Sequence, residues 1–96
     1  MNIFDGQDGR SNGKQDGYST RITSRGESVN IYVGGEFGPA QVTLYRYSEV
    51  KQRFEPTGAV WKNANELQSL SLKNTEVYRL DISGSDSTTD IFAEVA

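Results

Sequence analysis

Three groups of side chains in this 96-residue chain have types and spacings that could do chemistry. The first is DGQDGRSNGKQDG, residues 5 to 17, where Asp5, Asp8 and Asp16 offer carboxylate oxygens. Within it an Asp-Gly or Asn-Gly step recurs at 5-6, 8-9, 12-13 and 16-17. Clustered carboxylates suit a hard cation, but a helix-loop-helix calcium loop needs acids at alternate positions, a central Gly and a bidentate Glu at its twelfth place. Here Gly6 follows the first acid directly, Arg10 and Lys14 interrupt the series, and the closing Glu is missing. The repeat of calcium-binding β-rolls fails too, because it needs a recurring aliphatic position and residues 5 to 17 have none. The second group, Glu49, Glu55 and Glu66, could supply a glycosidase pair, yet all three fall on turn-like segments where glutamates are ordinarily solvated. The third, Gly34-Gly35-Glu36-Phe37-Gly38, lacks the lysine and following helix of a phosphate loop. The chain has no histidine and no cysteine, so the usual general base and the commonest metal ligands are missing. No metal, no cofactor and no enzymatic activity are expected.

Residue types suited to binding remain. Tyr45 and Tyr47 alternate with Val42 and Leu44 and so belong to the opposite face of their strand, with Tyr32 on the corresponding outer face of its own. If those outer faces adjoin, the three tyrosines form an amphipathic patch for a protein or sugar; otherwise they cover a sheet's outer face. Trp61 is assigned to the core. Ile3 and Phe4 are the apolar tip of an otherwise polar segment. Residues 1 to 17 hold four of the ten glycines and no alternation that would make their Asn-Gly or Asp-Gly steps into hairpins. They predict a flexible N-terminal arm, about 55 Å long at roughly 3.3 Å per residue, which either docks its tip on a neighbouring subunit or frays without a role.

The elements that must position these residues show period-two alternation. YSTRITS (18 to 24) sets Tyr18, Thr20, Ile22 and Ser24 on one face; ESVNIYV (27 to 33) sets Val29, Ile31 and Val33 against Ser28, Asn30 and Tyr32. A Gly-Gly and Phe-Gly-Pro loop then leads to AQVTLYRYS (40 to 48), with Ala40, Val42 and Leu44 inward, and predicts a hairpin. SEVKQRFEPTG is charged and turn-rich, with Phe54 as its anchor and Pro56-Thr57-Gly58 as a break before the short apolar return Ala59-Val60-Trp61. Leu67, Leu70 and Leu72 fit either a strand or one helical turn from Ala64. VYRLDIS (77 to 83) sends Tyr78, Leu80 and Ile82 inward with Val77, Arg79 and Asp81 outward. The turn Gly84-Ser85-Asp86 and TDIFAEV (89 to 95), with Ile91, Ala93 and Val95 inward, predict a closing hairpin. The sum is an all-β chain: a single antiparallel β-sandwich, immunoglobulin-like or jelly-roll-like, over residues 18 to 96, preceded by the extended arm of residues 1 to 17.

Composition bounds the rest. A chain this short makes one domain with a small core, and without cysteine no disulfide supplements it. Residues 1 to 53 carry seven basic and six acidic side chains, and residues 54 to 96 three and seven, an asymmetry that could orient head-to-tail contacts between copies. No basic block with interleaved aromatics points to nucleic acid. No apolar run points to a signal peptide or a membrane span, so synthesis in the cytoplasm is expected.

ESVNIYVGGEFGPAQVTLYRYS followed by VYRLDISGSDSTTDIFAEV resembles small β-sandwich proteins encoded among the virion genes of tailed bacteriophages. In that class a strand, a Gly-x-Phe-x-Gly-Ala-like loop and a strand precede a "YR" strand, a Ser-Gly turn and a final strand. Here the loop reads Gly35-Glu36-Phe37-Gly38-Pro39-Ala40, with Pro39 inserted, and the later unit reads Tyr78-Arg79-Leu80-Asp81-Ile82-Ser83-Gly84. The similarity spans roughly residues 27 to 95 and leaves out the arm. It implies a non-enzymatic structural protein of the virion, a capsid decoration or cement protein. Its expected partners are the major capsid protein, copies of itself, or both, met through Ile3, Phe4, Tyr32, Tyr45 and Tyr47. A tail or neck protein and a carbohydrate-binding module with Tyr32, Tyr45, Tyr47 or Trp61 as stacking platforms are the alternatives.

Overall fold

The computed structural model describes residues 1–23, 29–62, 66–70 and 76–95. Among these the chain is all β, with β1 (Gly17–Tyr18), β2 (Ile22–Thr23), β3 (Val29–Glu36), β4 (Gln41–Ser48), β5 (Arg53–Trp61), β6 (Glu66–Leu70), β7 (Val77–Ser83) and β8 (Asp90–Val95). Two antiparallel sheets pack against each other. One is five-stranded, running β1-β7-β4-β5 with β2 also on β7, and the other is three-stranded, β6-β3-β8. The alternation read from the sequence fixes what they bury. Ile31, Val33, Ile91 and Ala93 meet Val42, Leu44, Trp61, Tyr78, Leu80 and Ile82 across the interior, with Phe37 and Ala40 alongside. Trp61 is wholly buried, and among the described residues its indole N–H is the one buried side-chain polar atom without a partner.

Neither expected hairpin forms. β3 and β4 lie in different sheets, as do β7 and β8, so each connection is an arch from one sheet to the other. The Phe37–Ala40 turn closes with the Ala40 N–H donating to the Phe37 carbonyl at 3.0 Å. The Thr89 hydroxyl of the second arch donates to the same carbonyl at 3.1 Å, tying the two arches together. Alternation specifies a strand's inward face but carries no information on which sheet it joins, and a short turn serves an arch as well as a hairpin.

The hairpin that does form is β4–β5, through the segment expected to be broken at Pro56-Thr57-Gly58. Its register slips between Thr43 and Tyr45, and this bulge takes up Thr57 and Gly58 while Pro56 stays on the sheet's edge, where its missing N–H costs no ladder bond. The 18-to-24 strand is two short pieces. Tyr18 pairs Asp81 and Ile22 pairs Tyr78, so Tyr18 faces outward and Ile22 inward instead of sharing a face. Between them the Ser19 N–H donates to the Leu80 carbonyl at 2.8 Å, and the Ser19 hydroxyl accepts from the Leu80 N–H at 2.9 Å, replacing a ladder bond. Glu66–Leu70 pairs with β3 as a strand, which answers the strand-or-turn ambiguity for its backbone. The expectations for Ser24, Ser28, Ala64 and Leu72, and for the side chains of Glu66, Leu67 and Leu70, lie outside the described residues.

The largest departure is the N-terminal segment. Residues 1 to 17 fold back on the sheets, and the whole molecule measures 36 × 26 × 23 Å, too short for a projecting arm of the expected length. Phe4 is 1% exposed, inside the chain's own core, and Ile3 packs against that core. The segment covers the free edge of β8: the Ile3 N–H donates to the Ala93 carbonyl at 2.9 Å, the Ala93 N–H to Asn2 Oδ1 at 3.0 Å, and the Ile91 N–H to the Gly13 carbonyl at 2.9 Å. It then crosses to β7 as β1, so one stretch of chain closes an open edge of each sheet. Its Asx-Gly steps make the turns: Asp5 and Asn12 accept from the N–H groups of Gln7 and Lys14, and Gly13 has φ +93°. Buried Ser11 holds the middle, donating to the Gln15 carbonyl and accepting from the Gly13 N–H.

This clasp gives the fold a defined acid response. Arg10 meets the Asp5 carboxylate with two hydrogen bonds of 2.9 and 3.0 Å, and with help from the Gln7 N–H it lowers that carboxyl to about 2. Asp16, accepting from the Ser85 N–H and hydroxyl, is lowered as well. The folded chain therefore binds these protons less tightly than the unfolded chain. The stabilisation from Asp5 is fully present above the ordinary carboxylate range near 3.8 and is lost as pH falls from there through about 2, and that from Asp16 is lost in the same direction. Melting temperature measured between about pH 5 and pH 2 should fall less steeply in Asp5→Asn than in the wild type.

Candidate binding surface

The outer face of the five-stranded sheet is built by register. Arg79 of β7 stands opposite Tyr45 of β4, Asp81 stands beside Tyr18 of β1, and Tyr47 stands opposite Phe54 of β5. Period two turns all six side chains away from the core. Arg79 holds them together. Its guanidinium carbon lies 4.4 Å from the centre of the Tyr18 ring and 4.0 Å from that of Phe54, within the range of cation–π attraction. Tyr47 meets Phe54 edge-on at 5.3 Å and 73°. Arg79 also grips Asp81 with two hydrogen bonds of 2.9 and 3.3 Å. Burial raises the Asp81 carboxyl above its ordinary value, and the neighbouring guanidinium only partly offsets this.

Arg79→Ala is expected to cost about 1 to 3 kcal/mol, because two ring contacts go and a half-buried carboxylate loses its partner. The Asp81 carboxyl should titrate higher still, since its lowering cause is removed while burial stays. Carbon NMR of that carboxyl across a pH series reads the shift directly.

Beside this array Asp8, Arg10, Tyr18, Arg21 and Arg79 line a cavity of about 320 Å³. Arg21 is exposed and reaches to 5.9 Å from the Phe54 ring. A second hollow of about 410 Å³ lies at the β4–β5 end of the sheet, between Arg46, Glu49 and Glu76. Arg46 and Glu76 are ion-paired there at 3.1 Å.

The sequence-derived candidates divide among several places. Tyr45 and Tyr47 are half-buried on this face, as expected. Tyr32 lies on the other sheet, its ring 5.7 Å from Phe92, so the three tyrosines do not form one patch. Ile3 and Phe4 are not a docking tip, because both pack inward. Trp61 is buried and offers no stacking platform. Glu55 accepts from Arg53 at 2.8 Å and lies near Lys51, which lowers its carboxyl, the reverse of the raised acid that glycoside cleavage needs. Asp5 and Asp8 face Arg10, while Asp16 accepts from Ser85. Among the described residues no three metal-ligating side chains converge.

Arg79, Tyr18, Phe54 and Arg21 were not singled out as site residues in the sequence. Alternation along β7 puts Arg79 outward, and a cation outward on a central strand of a sheet rich in outward tyrosines is a usable signal. Phe54 was obscured by the charged residues around it. No family model, curated protein or solved structure matches this chain.

Proposed function

We propose that this chain is a non-enzymatic structural protein of a tailed-bacteriophage virion, a capsid decoration or cement protein. In this account its two sheets form an immunoglobulin-like or jelly-roll-like sandwich, and the outer face of the five-stranded sheet seats on the major capsid protein. The observation that carries the binding role is the Tyr18–Arg79–Phe54–Tyr47 array. Tyrosine, phenylalanine and arginine are the residue types enriched at protein interfaces, and here each fixes the next, so little side-chain freedom remains to be lost on docking. The resemblance over residues 27 to 95 supplies the virion setting.

The N-terminal segment has a different role from reaching a neighbour: it seals the sheet edges and leads into Tyr18 of the array. The array also disfavours a sugar platform, because the Arg79 guanidinium occupies the space between the Tyr18 and Phe54 rings. Gold-labelled protein imaged on intact particles tests the location. Label over the head shell is expected; label confined to the tail or neck would replace the decoration role with that of an adaptor.

A further inference from the structure

The two outer faces of the molecule differ in charge. On the three-stranded sheet, register turns Asn30, Tyr32 and Glu36 of β3 outward together with Asp90, Phe92 and Glu94 of β8. The Tyr32 and Phe92 rings pack together, and Phe92 remains 37% exposed. Among the described residues every charged side chain of that face is acidic: Glu36, Asp90 and Glu94, all exposed. Glu36 and Asp90 stand directly opposite each other, and like charges so placed work against the sheet unless a cation lies over them. The five-stranded face presents aromatic rings with two arginines: the charge of Arg79 is met by Asp81, and the exposed Arg21, beside the Phe54 ring, leaves the face its positive charge.

We infer that these faces are complementary halves of one contact and that copies of the chain associate head to tail. The basic, aromatic face of one copy lies on the acidic, aromatic face of the next. Such a contact is heterologous, so it builds a ring or a stack rather than a two-fold dimer. In a stack the first copy keeps its five-stranded face free for a shell. The inference deepens the structural role proposed above, but the contact itself needs no shell.

Size sets the strength. The molecule measures 36 × 26 × 23 Å, so even its smallest cross-section offers on the order of 500 Å² per copy, about 1,000 Å² in all, at the lower edge of specific interfaces. Association should therefore be weak and weakened further by salt.

Sedimentation velocity between about 10 μM and 1 mM protein spans the relevant affinities. The wild type should show dimers and larger species at low salt that shrink toward monomer at high salt. Two variants separate the faces. Arg21→Glu spoils the five-stranded face and Phe92→Ala the three-stranded one, each at an outward-facing position, with folding checked by circular dichroism. Each alone should associate at least tenfold more weakly than the wild type. Their mixture should give one-to-one dimers and nothing larger, because Phe92→Ala keeps an intact basic face and Arg21→Glu an intact acidic one. A wild type monomeric throughout, either variant associating like the wild type, or a mixture that stays monomeric would overturn the inference. Shell binding by a protein that remains monomeric in solution would overturn the stacking and leave the proposed function standing.

Discussion

Phe4→Ala is expected to lower the unfolding free energy by about 3 to 5 kcal/mol, the range for truncating a fully buried aromatic ring. Phe4 is 1% exposed and is among the largest wholly buried side chains of the molecule, although it lies four residues from the chain start. The backbone beside it spans from β8 to the five-stranded sheet, the Ile3 N–H donating to the Ala93 carbonyl and the Ile3 carbonyl accepting from the Thr20 N–H, each at 2.9 Å. A small domain has only about 5 to 10 kcal/mol to lose, so the variant should be close to unfolding at physiological temperature. Urea denaturation followed by Trp61 fluorescence measures it, since Trp61 is buried in the same core. A frayed arm would give a change within about 0.5 kcal/mol, as substitutions at unstructured surface positions do.

Gly13→Ala should cost about 2 to 4 kcal/mol, by adding backbone strain to a steric conflict. Gly13 has φ +93°, a conformation that side chains disfavour, and a β-carbon there would lie 1.9 Å from the Ile91 carbonyl oxygen. Either the segment lifts off β8 or the strand shifts, and both sacrifice the bond from the Ile91 N–H to the Gly13 carbonyl. Gly58→Ala is the control. Its φ of +97° is nearly the same, but a β-carbon there meets nothing within 4 Å, so only the backbone cost of about 1 kcal/mol remains. The difference between the two variants isolates the close approach of the clasp. Amide hydrogen exchange at Ile91 should accelerate more in Gly13→Ala than in Gly58→Ala, whose effect there is limited to its loss of global stability.

The inward faces of β3, β4, β7 and β8 were legible because alternation at period two is a direct image of a strand buried on one side. Val33, Leu44, Leu80 and Ala93 all lie where that pattern puts them. Sheet membership was not legible, because Ala40 and Ile91 would point inward equally well in a hairpin or an arch. β5 was hidden by its position at a sheet edge, where Pro56 and the flanking charges are tolerated and look like a loop. The N-terminal segment was hidden for a different reason. It bonds through Asx side chains, serine hydroxyls and isolated backbone groups, so it has no period, and its single core residue, Phe4, is indistinguishable in sequence from an apolar tip. At the candidate site, Tyr45 and Tyr47 were visible as outward tyrosines. Their partners were not, since Arg79, Tyr18 and Phe54 come from strands far apart in the chain and meet only through register.

The central claim is that the outer face of the five-stranded sheet binds a virion shell, and co-sedimentation with undecorated heads tests it most directly. The protein is used below the concentration at which copies associate with one another. The account predicts saturable pelleting of the wild type, and binding at least tenfold weaker for Arg21→Glu at an unchanged melting temperature. A wild type that stays in the supernatant, or an Arg21→Glu variant that binds as well as the wild type, would contradict it.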